Sequence, residues 1–263
     1  MKAVIIIKGI LLGAAFLPAT GLNAGDKDKP VKLETKVVDA GAFGIYLGGK
    51  RIGTETFRIE QRLDYSIATA QLKIDDGKVK AEQSAEMQIS PKGELRSYVW
   101  RSALPQKEES SVEPQNELLV EHVTPADQKK LDVPHVLPVS TVILDDNFFS
   151  QREILFFRYL ATGCAWKQGQ GLMCGPSDYV ILVPQQHLSA NATMEFVGLE
   201  KITVKGVERQ LNKVTLTTAA PGRVIVLNDQ KESDPGQWLL WVDDQYKVVK
   251  ISIPGSNIEV VRD

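Results

Sequence analysis

The histidines are the first residues to consider for chemistry, because an imidazole can act as a metal ligand or as a general base near neutral pH. His122, His135 and His187 are far apart in the sequence, and none belongs to a His-x-x-x-His pair or to an acidic metal-binding motif. An isolated histidine is more often a surface residue or a satisfied core residue than a ligand. We therefore predict no metal site and no catalytic histidine.

Serines and paired aspartates are the other residues with catalytic potential. Ser177 and Ser189 lack the Gly-x-Ser-x-Gly elbow that exposes a nucleophile in many hydrolases. The aspartate pairs occupy predicted turns or precede a predicted helix, where acidic residues have structural roles. These pairs are Asp75-Asp76, Asp145-Asp146 and Asp243-Asp244. The sequence therefore predicts a protein that is not an enzyme and needs no cofactor, unless residues distant in sequence converge in space.

The N-terminus has the pattern of a secretory signal peptide. Lysines precede or interrupt an apolar run at 10–17, and small residues lead from there to Ala24. A membrane anchor is the alternative, but a spanning helix needs about 20 apolar residues and this run is shorter. We predict a signal peptide at 1–24, a flexible segment at 25–34 and a single β-rich domain at 35–263. We expect a periplasmic or secreted protein without a transmembrane anchor after cleavage.

The cysteines support this prediction of an exported protein. Cys164 and Cys174 are the only two, and they flank a loop that contains glycines. In an oxidising compartment, such a pair favours a disulfide, which would fasten the loop without implying any activity. Two free structural thiols are the alternative, since the spacing matches no zinc or redox motif.

Composition is that of a folded globular chain, with 43% hydrophobic and 24% charged residues. The formal net charge is -2, and no basic stripe with interleaved aromatic residues is present. These features argue against a nucleic-acid partner.

Alternating apolar and polar residues predict a mainly antiparallel β chain. Gly48-Gly49 and Pro91-Lys92-Gly93 each separate two strand-like runs, as in hairpins. We expect further strands at 178–183, 193–204, 211–218 and 223–228, with turns between them.

The C-terminal residues 236–261 predict a closing antiparallel hairpin with an acidic turn. Within it, a period of two places Val249, Ile251 and Ile253 on one side of a strand. Lys250 and Ser252 fall on the other side. This pattern predicts a sheet with one solvated face.

One segment has helical rather than strand periodicity. Apolar residues at 148, 149, 155, 156, 159 and 160 recur at helical spacing, and we predict a helix over 148–160. Residues 145–147 are good N-terminal capping residues, and Gly163 follows the helix. We expect its aromatic stripe to lie on the inner face of the sheet. The proline-containing residues 125–138 predict a long surface connection that could gate a cavity.

Four segments carry a resemblance to a known family. They are the hairpin at 44–57 with Gly-Gly-Lys-Arg-Ile-Gly-Thr-Glu-Thr-Phe, the helix at 144–159, the run Tyr179-Val-Ile-Leu-Val-Pro-Gln-Gln, and the ending from Trp241-Val-Asp-Asp to Val261-Arg262. The chain resembles an uncharacterised family of exported bacterial proteins, related in shape to the lipoprotein-carrier half-barrels. The resemblance implies a curved antiparallel sheet, an open or half-closed barrel, wrapped around one main amphipathic helix. Carriers of this shape hold acyl chains in the concavity, although shape does not determine function.

Together these observations predict non-covalent binding of a hydrophobic ligand, a lipid or an acyl chain, in the concave face of the sheet. The walls of such a cavity should come from large apolar side chains on the helix and the facing strands. The candidates are Trp100, Phe148, Phe149, Phe156, Tyr159, Trp238 and Leu240. For each of them, packing in the core is the alternative.

A structural or assembly protein of the cell envelope is the alternative function. Such a protein would bind another protein through a strand edge and would have no cavity. Edge pairing needs an exposed strand with few charges, and 178–183 is the best candidate.

Overall fold

The computed structural model describes residues 35–126, 129–168, 171–220 and 236–263. The predicted signal peptide, the flexible segment at 25–34 and the strand at 223–228 lie outside the described residues. Within those ranges the chain forms seventeen strands, one α-helix and one short 3-10 helix. The strands are β1 (Lys36–Leu47), β2 (Lys50–Gln61), β3 (Ser66–Asp75), β4 (Lys80–Ile89), β5 (Leu95–Leu104), β6 (Glu108–Gln115), β7 (Leu118–Thr124), β8 (Leu131–His135), β9 (Val142–Ile143), β10 (Cys164–Lys167), β11 (Gly171–Cys174), β12 (Ser177–Val183), β13 (Leu188–Val204), β14 (Val207–Thr218), β15 (Gly236–Val242), β16 (Val248–Ser252) and β17 (Ile258–Arg262). The helices are α1 (Ser150–Thr162) and the 3-10 helix (Pro184–Gln186).

Fifteen strands form one curved sheet in the order β8-β7-β6-β5-β4-β3-β2-β1-β17-β16-β15-β14-β13-β12-β9. Neighbouring strands are antiparallel except β12 and β9, which are parallel. The first and last strands meet, with Gly44 of β1 opposite Val261 of β17. In the described residues the end strands β8 and β9 do not pair, so the sheet stays open. The predicted fold class, a curved antiparallel sheet around one helix, is confirmed.

Helix α1 lies against the inner face of this sheet. Leu155, Phe156 and Tyr159 are fully buried in the main core, as the aromatic stripe predicts. The helix starts two residues later than predicted, because Phe149 is its N-cap and Phe148 precedes it. Among the described residues, no helix is long and apolar enough to cross a membrane.

The prediction that residues 145–147 cap this helix is wrong. All three are buried, and no side chain next to the helix start accepts a capping hydrogen bond. Instead, the backbone N–H groups of Phe149 and Ser150 donate to the Glu55 carboxylate of β2, at 2.7 and 3.1 Å. A carboxylate from a distant strand thus does what a local capping residue does in other helices.

The C-terminal hairpin is confirmed, and β17 extends it into a three-stranded meander. Val249 does not share a side with Ile251, contrary to prediction. Trp241 pairs with Lys250 whereas Val242 pairs with Val248, which leaves Val249 as the extra residue of a β-bulge. A bulge shifts the alternation of side chains by one residue. Val249 therefore packs with Trp241 in a small outer cluster, while Ile251 belongs to the main core.

Two other predicted segments have different environments from those expected. Residues 131–135 form the edge strand β8 along β7 rather than an irregular connection, because the N–H and C=O groups of β7 need a partner. Strand β12 is covered on both sides only near its C-terminal end. It pairs with β13 over its whole length and with β9 at Ile181 and Leu182, which are 1% and 0% exposed. The apolar run at 178–183 therefore reflects burial.

A disulfide-closed hairpin follows the helix. Cys164 and Cys174 are directly opposite each other in β10 and β11, and their sulfur atoms are 2.07 Å apart. The predicted disulfide is confirmed. The bridge packs against the main core, whereas Trp166 in the same hairpin is 74% exposed.

Candidate ligand-binding site

A cavity of about 620 Å³ lies between one side of helix α1 and strands β2 to β5. The helix contributes Ile154, Phe157 and Ala161, which recur at a spacing of three and four residues along one stripe. This stripe is distinct from the fully buried stripe of Leu155, Phe156 and Tyr159, although Leu155 reaches both. The sheet contributes Ile59, Ile67, Ala68, Met87, Ile89 and Leu95. The volume is typical of small-molecule sites.

The cavity has a closed apolar end and an open end. Leu155 and Ile143, at 0% and 1% exposure, form part of its floor. Lys92, Ala161 and Thr162 also line it but are exposed, so the opening lies beside the end of α1 and the β4–β5 turn. A ligand in this cavity would have its apolar part at the floor and any polar part at the opening.

Arg158 crosses the rim of the opening. Its Nη1 donates to the backbone oxygens of Gly93, at 3.2 Å, and Ser140, at 2.8 Å. Its guanidinium group also lies over the ring of Tyr179, with 5.6 Å between Cζ and the ring centroid. Arg158 therefore ties the helix to the β4–β5 turn and to the segment before β9, and it stays close to the opening.

The helix that forms one wall is anchored by a buried carboxylate. Glu55 is fully buried and accepts hydrogen bonds from the Ser150 hydroxyl and from the backbone N–H groups of Phe149 and Ser150. Burial raises the pKa of Glu55 to about 7, and these hydrogen bonds oppose that rise without cancelling it. The contacts fix the N-terminal end of α1 on β2.

Asp145 anchors the segment that enters the helix. It accepts hydrogen bonds from the Tyr98 hydroxyl and from the backbone N–H of Gln185, the latter at 2.9 Å. Burial raises the pKa of Asp145 to about 7, although the Tyr98 hydrogen bond acts in the opposite direction. Gln151 completes the network, because its amide donates to the Tyr98 oxygen at 3.3 Å and accepts from the Asp145 backbone N–H at 2.6 Å.

A second buried ionic cluster holds the middle of the helix. Arg262 Nη2 lies 2.6 Å from the Asp39 carboxylate and 2.7 Å from the Glu153 carboxylate. Burial raises the pKa of Glu153 to about 8 against the attraction of Arg262. Burial would also raise the pKa of Asp39, but hydrogen bonds from Arg262 and Lys247 outweigh it and keep that pKa below its usual value. These side chains thus tie α1 to β1, which carries Asp39, and to β17, which carries Arg262. Strands β1 and β17 pair with each other and so join the two halves of the sheet.

The seven candidate ligand residues all lie in the packed core. Each of them is at most 6% exposed, and none lines the cavity beside α1. The Phe149 and Trp238 rings meet edge to face at 6.5 Å, and the Arg152 guanidinium lies 4.0 Å from the centroid of a Trp238 ring. The Tyr159 hydroxyl donates to the Gly175 backbone oxygen at 2.9 Å and accepts from the Phe196 N–H at 3.0 Å. Trp100, Phe148, Phe156 and Leu240 belong to the same core.

The cavity residues that the sequence prediction missed had a detectable signal. Ile154, Phe157 and Ala161 form a second stripe beside the aromatic one, at the same helical period. The sequence prediction chose the aromatic stripe because its side chains are larger. Those large side chains fill the core, whereas smaller or partly exposed side chains leave the space that forms the cavity.

The cavity beside α1 is not the largest one described. Another, of about 680 Å³, lies over the ends of β3 to β6. Its lining includes charged side chains that pair with each other, such as Lys73 with Glu82 at 3.3 Å and Arg101 with Glu109 at 2.7 Å. These ion pairs are exposed and leave few free groups for a ligand.

All three histidines have a carboxylate partner in space, although they are far apart in the sequence. Glu121 is fully buried on β7, and its carboxylate oxygens lie 3.0 Å from His135 Nε2 and 2.9 Å from His187 Nδ1. The Ser110 hydroxyl donates to the same carboxylate at 2.8 Å. His122 lies across the β7–β8 pair from Asp132, at 2.6 Å. Strand pairing and curvature create these contacts, and no sequence spacing indicates them.

The turn aspartates have the structural roles that the sequence predicts. Asp76 accepts hydrogen bonds from the backbone N–H groups of Lys78 and Val79, at 2.7 and 2.6 Å. Asp243 accepts from those of Gln245 and Lys247, at 3.0 and 2.9 Å. Each carboxylate therefore stabilises its own turn.

No protein-family model matches this chain, and no curated protein matches it. A similar solved structure is that of a β-barrel-like protein of domain of unknown function DUF1849 from Brucella abortus. The TM-score is 0.49 and the sequence identity is 8%, with 85% of this chain and 94% of that chain covered. The resemblance to a family of exported half-barrel proteins therefore stays a prediction.

Proposed function

We propose that this protein binds a hydrophobic ligand, a lipid or an acyl chain, non-covalently in the cavity between α1 and strands β2 to β5. The observation that carries this proposal is the cavity itself, about 620 Å³ with apolar walls and one open end. Its size suits one small ligand. We propose this location instead of the aromatic core that the sequence analysis considered.

Apolar burial supplies the driving force for such binding. Each buried methylene contributes about 0.8 kcal/mol, so a chain that buries about ten methylenes gains roughly 8 kcal/mol. The lost freedom of the ligand reduces this gain, so we expect an affinity that is micromolar or weaker. That range suits a protein that must release its ligand.

The proposal is for binding without chemical conversion. The buried acidic groups that might serve in catalysis already have structural partners: Glu55 holds the helix start, and Glu121 holds two histidines. The Cys164–Cys174 disulfide supports an oxidising compartment, in agreement with the predicted export. The alternative function in envelope assembly stays a prediction, and its candidate edge at 178–183 is reduced, because Ile181 and Leu182 are paired on both sides.

The test combines ligand identification with a variant that fills the cavity. Ala68 on β3 lines the cavity and is only half-buried, so Ala68→Trp should occupy its volume. Ala103→Trp on β5 is the matched control, because Ala103 is exposed, lies outside this cavity and lines the other cavity of about 680 Å³. Ligand loss with this variant instead of Ala68→Trp would place the ligand in that other cavity. Each protein is purified gently from the exported fraction, and its organic extract is analysed by mass spectrometry.

We expect a stoichiometric lipid or other apolar molecule with the wild type and with Ala103→Trp, and a loss of most of it with Ala68→Trp. Saturating ligand should also raise the unfolding free energy of the wild type by about 3 kcal/mol at a hundredfold excess over Kd. The proposal fails if no apolar molecule is retained after incubation with envelope lipids. It also fails if Ala68→Trp is folded and retains as much ligand as the wild type.

A further inference from the structure

We infer that the ligand is an amphiphile with an anionic head group, which Lys92 and Arg158 hold at the opening of the cavity. This inference rests on the proposed function and specifies its ligand class. The head group would be a carboxylate or a phosphate, and the attached chain would enter the cavity.

The charged residues of the cavity lining are all cationic. Lys92 and Arg158 are the charged residues among its lining, and no aspartate or glutamate is present there. Both cations are at or near the opening, and the buried residues of the lining are apolar apart from Thr141. Such an arrangement favours a molecule with a negative end and an apolar body.

Neither cation is neutralised by a carboxylate within the described part of the chain. Lys92 has no ion pair in the described residues, and the same holds for Lys50 and Lys78 at other hairpin turns. Lys92 differs from those two lysines because it lines the cavity. An anionic ligand would supply the missing negative charge.

Arg158 also has free hydrogen-bond donors. Its Nη1 is engaged by the backbone oxygens of Gly93 and Ser140, but its Nε and Nη2 make no hydrogen bond among the described residues. These two nitrogens are therefore not fully buried, and Arg158 as a whole is half-buried. An arginine edge is suited to two-point binding of a carboxylate or a phosphate.

The two cations should contribute differently. Arg158 is held in place by two backbone oxygens and the Tyr179 ring, so it is preorganised to orient a head group. Lys92 lies exposed in a turn and acts as a flexible point charge. Since exposed ion pairs are weak, we expect each to change affinity by only about 2- to 5-fold.

The first experiment compares probes that share one saturated twelve-carbon chain and differ in head group. They are dodecanoate, dodecyl phosphate, dodecyl maltoside and dodecyltrimethylammonium, each titrated below its micellar concentration by isothermal calorimetry. We expect both anions to bind about 3- to 10-fold more tightly than the neutral maltoside, and the cation to bind most weakly. Added salt should reduce the advantage of the anions, because exposed charges are screened.

The second experiment removes the charges one at a time. Lys92→Gln and Arg158→Gln should each lower the ratio of dodecyl phosphate affinity to dodecyl maltoside affinity by about 2- to 5-fold. The ratio is the informative quantity for Arg158→Gln, because this substitution also removes contacts to Gly93 and Ser140 at the rim. Arg158→Lys keeps the charge but loses the two-point contact, so its preference for anions should lie between those of the wild type and Arg158→Gln. Lys78→Gln is the control, because Lys78 is exposed in the turn at the other end of β4, about 30 Å away along the strand.

The outcomes separate this inference from the proposed function. If dodecyl maltoside binds as tightly as the anions, the inference is wrong and hydrophobic binding stands. The inference is also wrong if the Gln variants match Lys78→Gln. If no probe binds, both the inference and the proposed function are wrong. A preference for dodecyl phosphate over dodecanoate, or the reverse, supports the inference and identifies the head group.

Discussion

Replacing Glu55 by glutamine tests how the helix beside the cavity is anchored. Glu55 is completely buried on β2, and its carboxylate accepts hydrogen bonds from the N–H groups of Phe149 and Ser150 at 2.7 and 3.1 Å. Burial raises its pKa from 4.5 to about 7. Glutamine has nearly the same shape and still accepts hydrogen bonds, but it does not titrate.

The sign of the pH effect follows from the two pKa values. Between 4.5 and about 7, the unfolded chain loses the Glu55 proton while the folded protein retains it. The free energy of unfolding therefore falls as pH rises through this window and is constant above it. The stabilisation that the protonated Glu55 provides is fully present below pH 4.5, the pKa of Glu55 in the unfolded chain. A shift of this size corresponds to roughly 3 kcal/mol.

The assay is urea unfolding, followed by tryptophan fluorescence from about pH 5 to about pH 8. Other groups also titrate, so the informative quantity is the difference in unfolding free energy between Glu55→Gln and the wild type at each pH. We expect the variant to gain about 2.5 kcal/mol on the wild type across this range, because part of the full effect already occurs below pH 5. Glu82→Gln, which removes an exposed carboxylate on β4, should show almost no pH-dependent difference.

The opposite slope would refute this reasoning. If Glu55→Gln loses stability relative to the wild type as pH rises, the ionised carboxylate must stabilise the folded state. The N–H groups and dipole at the helix N-terminus would then outweigh the cost of burial, and the pKa of Glu55 would lie below 4.5.

Two further variants test the remaining anchors. Arg262→Gln would leave Glu153 buried without a cation, while Lys247, 2.7 Å from Asp39, would still pair with that carboxylate. Because burial raises the pKa of Glu153 to about 8, its carboxyl takes up a proton near neutral pH, and we expect a loss of about 1–3 kcal/mol in urea unfolding. A loss below about 1 kcal/mol would show that this cluster does not hold α1. Replacing both Cys164 and Cys174 by alanine removes a bridge with a sequence separation of 10, and the unfolding free energy should fall by a little under 3 kcal/mol. An unchanged unfolding midpoint under oxidising conditions would contradict this second prediction.

Much of the fold was predictable because strands and helices have their own periods. Pro91-Lys92-Gly93 predicted the turn between β4 and β5, and the glycines at 48 and 49 predicted the turn between β1 and β2. Val249 was assigned to the wrong side, because a bulge adds one residue without changing the residue types around it. Local pattern also could not predict the capping of α1, since Glu55 is 94 residues from Phe149.

The candidate site was predicted less well than the fold. The sequence predicted an apolar helix against a sheet. It also gave Phe148, Phe149 and Phe156 as candidate ligand residues, and these side chains fill the core. Ile154 and Phe157 line the cavity instead. A cavity is space left between packed elements, and its position depends on how the elements cross. Residue type alone does not specify that geometry.

The amino-acid sequence by itself determined the class of this protein, the strand and helix periods, the turn roles of Asp76 and Asp243, and the pairing of its two cysteines. These features depend on neighbours within a few residues or on composition. Only the tertiary structure decided which carboxylates are buried, which histidines meet Glu121, and where an open cavity places Lys92 and Arg158 at its rim. Those features arise because sheet curvature brings together groups that are far apart in the chain.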